Sequence, residues 1–222
     1  QVVVHIYMNI GLIPITGITL PFISYGGSSL FTDNWSIGVN GGVQTNLHDW
    51  TAPQGAIVGI TLDKEITPLF GVTVEGNIGV NNLANWAHPQ MHDHNGVAID
   101  AVSAFVDGRF NLMNGLFGYK GERRFVEVEP LVGIGYAHLY RSGGTNGANT
   151  LLTKGGVNVN FNLCDAWTVN VRPAVVWDLK GDNLDARKAV GQITVGLTYH
   201  FKTSNGTRHF TKVKLYNQNE VD

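Results

Sequence analysis

The sequence predicts an all-β protein, an eight-stranded antiparallel transmembrane barrel with an apolar segment appended at its N-terminus. Three observations carry that prediction. Eight short runs alternate between apolar and polar residues with the two-residue period of a strand, whose side chains point to opposite faces in turn. The polar side of those runs is mostly Gly, Asn, Ser and Thr, where a water-facing sheet would carry Lys, Glu and Thr. Charged residues are 14% of the chain, well below the roughly 25% of soluble domains. A hydrophobic content of 43% excludes a disordered chain, and a net charge of −2 gives no footprint for nucleic acid. The single cysteine, Cys164, excludes an internal disulfide framework and a multi-thiolate metal site.

Composition divides the chain into three parts: an apolar N-terminal segment at 1–32, a barrel at 33–201 and a polar periplasmic linker at 202–222. Residues 1–32 hold no Asp, Glu, Lys or Arg. Gly11, Pro14, Gly17 and Pro21 interrupt them, and proline removes a helix hydrogen bond, so one straight helical span is not expected. With no initiator Met and no basic stretch, the segment does not read as an intact secretory signal.

The strands follow in order. The first sets Trp35, Ile37, Val39 and Val43 against Ser36, Gly38, Asn40 and Gln44. The second sets Val58, Ile60 and Leu62 against Ile57, Gly59 and Thr61, and the third Val72, Val74 and Ile78 against Thr73, Glu75 and Asn77. In the fourth, Val102, Ala104 and Val106 oppose Ser103, Phe105, Asp107 and Arg109. The fifth opposes Val128, Val132, Ile134 and Tyr136 to Glu127, Glu129, Gly133 and Gly135. The sixth runs from Gly156, with Val157, Val159, Phe161 and Leu163 facing away from Asn158, Asn160 and Asn162. The seventh sets Val169, Val171, Val175 and Trp177 against Thr168, Asn170 and Arg172; the eighth sets Ile193, Val195, Leu197, Tyr199 and Phe201 against Gln192, Thr194, Thr198 and His200.

A soluble sandwich alternates in the same way, with its apolar face inward. Glycine on a water-facing strand is costly, whereas small residues suit a cramped interior, so the faces are inverted here: apolar toward lipid, polar toward a narrow lumen. A sheet in hydrocarbon must close on itself to pair every amide, and eight strands leave just enough interior for side chains to fill. A plug of side chains is expected, not a pore. Glu75, Asp107, Arg109, Glu127, Glu129 and Arg172 all fall on the inward parity. Buried charge needs a partner, so Arg109 and Arg172 are expected to bridge these carboxylates; a catalytic carboxylate or a gated ion path is the alternative. The connections near 81–96, 141–150 and 178–189 are long and polar, while 63–69 and 163–166 are short. Short turns face the periplasm in bacterial barrels, which places both barrel ends there and leaves 113–124 as an unusually long periplasmic turn. Trp35, Trp167, Tyr199 and Phe201 fit an interfacial aromatic girdle.

With the strands laid out, residues 34–201 resemble the N-terminal barrel of OmpA-like outer-membrane proteins, on the segments NWSIGVNGG, FNLMNGLFGYKGERRFVEVEPLVGIGYAH and ITVGLTYHF. The resemblance implies a non-enzymatic protein of the cell outer membrane that supports envelope integrity, with weak or no pore activity and no cofactor. It also implies contact with outer-membrane lipids and lipopolysaccharide. Ile193, Val195, Leu197, Tyr199 and Phe201 resemble the terminal signal read by the barrel assembly machinery. Family members continue into a peptidoglycan-binding domain; that activity is not expected of the residues up to Asp222. Residues 9–30, NIGLIPITGITLPFISYGGSSL, resemble the signature of the SEDS peptidoglycan polymerases, with Thr19 where that family carries proline and fewer residues after NIG. The expected reading is a fusion or translocated reading frame without polymerase activity.

Two further groups of residues have side chains suited to chemistry. His88, His92 and His94, with Asp93, have side chains suited to zinc or copper, but a solvated loop tip is the expected reading. His138, with Ser142 four residues on, is the candidate base and nucleophile of a lipid-modifying hydrolase or acyltransferase, but no elbow-like motif frames Ser142. A receptor or adhesin acting through the 141–150 loop and the DNLDARK segment is the remaining alternative.

Overall fold

Each alternating run forms a strand that pairs with the run next to it, and the last pairs with the first. The structure is a computed structural model and describes residues 34–47, 55–80, 99, 101–140, 148–179, 189–203 and 206–210. Its strands are β1 (Trp35–Asn46), β2 (Gly55–Glu65), β3 (Phe70–Val80), β4 (Ala101–Phe110), β5 (Val126–Leu139), β6 (Ala148–Asn162), β7 (Trp167–Asp178) and β8 (Val190–His200). A short helix, α1 (Leu112–Phe117), lies between β4 and β5. All neighbours are antiparallel and the sheet is closed. The closing pair runs from Ser36 opposite His200 to Asn46 opposite Val190, so neither edge is left with a row of unpaired amides.

The parity decides what faces out. Ile60 is 63% exposed and Val132 is 70% exposed, and Val39, Val58, Ile134, Ile193 and Val195 are exposed beside them. Ser36, Asn40, Thr73, Asn77, Asn158, Asn170 and Thr198 are buried. An exposed belt of branched aliphatics around a polar interior reverses the arrangement of a soluble sandwich and suits a hydrocarbon solvent. Glycine on the inward parity is a matter of space. A Cβ on Gly133 would collide with the Asp107 carboxylate, and one on Gly135 with the Phe105 ring.

Several local features differ from expectation. β6 begins eight residues before Gly156 and stops at Asn162, so Leu163 belongs to the turn, where its amide donates to Trp167 O at 3.0 Å. Phe201 lies one residue past β8 but still donates its amide to Trp35 O at 3.0 Å. The long 113–124 connection holds α1, capped by Asn111, whose Oδ1 accepts from Asn114 N at 2.9 Å. Asn114 Nδ2 then donates to Pro68 O at 3.0 Å, which ties the helix to the β2–β3 turn. Residues at the start of the polar linker are also ordered. Gly206 has φ +83 and its amide donates to Thr203 O at 3.0 Å, while Thr203 N donates to Thr207 O at 2.7 Å. That turn brings Phe210 O within 2.5 Å of the Tyr119 hydroxyl that donates to it. Burial, with Glu65 nearby, holds the Tyr119 phenol well above its ordinary titration range, so it remains a donor.

Candidate functional site

The interior of the barrel is layered, and the layers follow from which residues each strand turns inward. At the middle, β3 supplies Glu75, β4 Asp107, β6 Lys154 and β7 Arg172. Lys154 Nζ donates to Glu75 Oε2 at 2.9 Å and lies 2.6 Å from Asp107 Oδ2. Arg172 Nη1 donates to the same Glu75 oxygen at 2.6 Å, and Asn77 Nδ2 to its other oxygen at 2.6 Å. Lys154 is 2% exposed. Two cations against two anions make this layer neutral, which is what makes such burial tolerable.

Toward the short turns a second layer is built around Arg109. Its Nη1 donates to Glu129 Oε2 at 2.7 Å, and its Nη2 lies 3.4 Å from Asp63 Oδ1, which in turn accepts from Thr73 Oγ1 at 2.5 Å. Asn158 Nδ2 adds a bond to Glu129 at 3.2 Å. Below it Arg123 Nη2 donates to Glu65 Oε1 at 2.8 Å and Asn162 Nδ2 to Glu127 Oε2 at 3.2 Å. Cavities of about 20 Å³ lie here, walled by Arg109, Arg123, Glu127 and Glu129 among others, each with room for about one water.

Toward the long loops an apolar cluster joins the interior, beside the buried polar pairs in which Thr150 Oγ1 donates to Asp178 Oδ1 at 2.5 Å and Gln192 Nε2 to Gln44 Oε1 at 3.3 Å. Ala101, Phe105, Ala137, Leu139, Leu152, Val176 and Val190 pack together as a buried cluster. Phe105 is 1% exposed, and its ring centroid lies 4.4 Å from the Lys154 ammonium as a cation–π partner. The inward parity places Ile57 and Phe105 among polar residues, without showing that they meet other apolar side chains. The apolar layer arises because Ile57, Phe105 and Leu152 stand on inward parity at the long-loop side of the charge layer.

The sequence-predicted charges are thus brought together in two clusters. Arg172 joins Glu75, with Asp107 reached through Lys154; Arg109 joins Glu129, and Glu127 is held by Asn162. Lys154 and Asp63 were missed. Both lie on inward parity one step beyond where the alternation was stopped, so extending each run by two residues finds them. Ile193, Val195, Leu197, Tyr199 and Phe201 all lie on the outer face, with Trp167 and Tyr199 ring centroids 4.9 Å apart at the short-turn rim. His138 Nδ1 lies 2.6 Å from Asn149 Oδ1, and its ring meets Tyr140 edge-on at 4.9 Å. His88, His92, His94 and Ser142 lie outside the described residues, and no metal-binding cluster occurs among those that are described.

Neisserial surface protein A aligns over 77% of this chain and 99% of that one, at 7% identity and a TM-score of 0.52. The chain has the fold of an outer-membrane barrel. The N-terminal barrel domain of Pseudomonas aeruginosa OprF covers 76% of this chain and 98% of its own, at 9% identity and a TM-score of 0.49. The N-terminal end matches something different. A family model described as cell cycle protein (FtsW, RodA, SpoVE) matches residues 1–48, wider than the 9–30 signature and overlapping β1. Stage V sporulation protein E of Bacillus subtilis is 59% identical over 39 residues, 18% of this chain and 11% of that protein. The probable peptidoglycan glycosyltransferase FtsW of Coxiella burnetii is 54% identical over 39 residues, 18% of this chain and 10% of that protein. The chain spans about a tenth of the length of the curated relatives it matches.

Proposed function

We propose that this protein is a structural barrel of the outer membrane that contributes to envelope integrity, is not an enzyme, and conducts ions weakly or not at all. The observation that carries this reading is the stacked interior: an ion-paired layer, Glu75–Lys154–Asp107 with Arg172, capped by the apolar cluster around Phe105, Leu152 and Val190. An ion crossing the lumen has to strip a buried carboxylate of its partner and then enter an apolar layer, both at a cost of several kcal/mol.

The long loops face outward toward lipopolysaccharide, and both barrel ends face the periplasm. The outer row from Ile193 to Phe201 serves the barrel assembly machinery, and a peptidoglycan contact would come from a further C-terminal domain. The test combines two measurements on refolded protein. Unboiled protein in detergent is expected to migrate faster than boiled protein, and planar bilayers containing it are expected to show no steady open state. Sustained conductance would overturn the closed-lumen reading, and a heat-insensitive band that is soluble in plain buffer would overturn the membrane barrel itself.

A further inference from the structure

We infer that the short-turn rim is a binding collar for anionic glycerophospholipid headgroups of the adjoining membrane leaflet. The inference rests on the membrane-barrel reading above. Around this rim three cations are each fixed over an outward-facing aromatic ring. Lys64 Nζ lies 4.9 Å from the Trp35 ring on the cross-strand pair that joins β1 and β2. The Arg124 guanidinium lies 5.7 Å from Phe117 at the end of α1, and its Nη2 donates to Gly118 O at 2.6 Å. The Arg208 guanidinium lies 4.9 Å from Tyr199 and donates to His200 O.

These pairs sit where the belt of exposed aliphatics ends. Leu116, Phe117 and Phe125 are exposed at the same level, so the apolar surface continues from the strands onto α1 with the cations at its margin. Charge on this rim favours an anionic partner. Among the described residues Lys64, Lys120, Arg124, Lys202 and Arg208 stand against Glu122 and Asp165, five cations to two anions, with Arg123 and Glu65 paired to each other. Aromatic rings at headgroup depth and cations held on them offer a lipid phosphate a partner whose side-chain freedom is already lost. The acyl chains of the same lipid cover the aliphatic belt. A peptide or sugar partner would leave that adjoining apolar surface uncovered.

The test measures lipid selectivity in phosphatidylcholine vesicles with spin-labelled phosphatidylglycerol or spin-labelled phosphatidylcholine as probe. The full chain is expected to hold the anionic probe in its motionally restricted shell roughly threefold over the neutral one, and molar salt to remove much of that preference. The combined variant Lys64→Gln, Arg124→Gln and Arg208→Gln is expected to bring the ratio close to one while keeping the heat-modifiable gel shift. A wild-type ratio of one, or an unchanged ratio in the variant, overturns the collar. If the combined variant loses the gel shift, Arg124→Gln and Arg208→Gln are measured singly; each is expected to lower the ratio, and no change in either overturns the proposal. Absence of the shift in the wild-type chain strikes the barrel reading instead, so the two failures are told apart.

Discussion

The two halves of the barrel interior solve the same packing problem with opposite chemistry. The half near the long loops is built around an apolar cluster, Phe105, Leu139, Leu152, Val176 and Val190, with the buried Thr150–Asp178 hydrogen bond beside it. The half near the short turns is filled by Arg109, Asp63, Glu65, Arg123, Glu127 and Glu129, four carboxylates and two guanidiniums around cavities of about 20 Å³. Lys154 stands between them, its ammonium bonded to the acids and its charge resting on the Phe105 ring. The difference teaches that closure of this lumen depends on the boundary layer. There each buried charge has an ionic partner, whereas the lower half has more space for water to replace a lost one.

The sharpest way to break that comparison is Lys154→Met. It leaves Glu75 and Asp107 facing each other without their shared cation, and is expected to cost about 3–5 kcal/mol in denaturant unfolding from lipid vesicles. Replacing both acids as well, by Glu75→Gln and Asp107→Asn, should recover most of the loss. A cost of under about 1 kcal/mol would mean that the boundary layer is wet. Next in size is Leu152→Ala in the half near the long loops, expected to cost about 3 kcal/mol through lost contacts and the cavity left behind. Gly135→Ala probes the same half from the opposite side. The added methyl meets the Phe105 ring and is expected to cost about 2 kcal/mol, with Phe105→Leu in the same chain relieving part of it. The smallest effect belongs to the floor: Tyr119→Phe removes the bond to Phe210 O and is expected to cost about 1 kcal/mol, with faster amide exchange confined to the 203–210 turn.

Much of this was legible in the residues. The inward parity named Glu75, Asp107, Arg109, Glu127, Glu129 and Arg172, and each is buried. The same rule, carried two residues further in the second and sixth strands, reaches Asp63 and Lys154. The apolar half of the lumen was less legible. Phe105 and Ile57 were read on the inward side, but parity carries no height along the axis, so nothing showed that they meet Leu152 and Val190 in one layer. α1 was hidden for another reason. Its six residues are too few to show a helical period, and its stability comes from the Asn111 cap and the Asn114–Pro68 bond, which is long-range in sequence.

What the sequence alone determined is the alternation, the count of eight strands and which face of each meets lipid, because a strand's side chains obey a fixed two-residue period and glycine and asparagine declare the cramped side. Only the tertiary structure decided who pairs with whom across the lumen. Residues as distant as Glu75 and Arg172 meet because closure brings every strand within reach of one axis, and the height at which each inward side chain arrives is set by the register between strands.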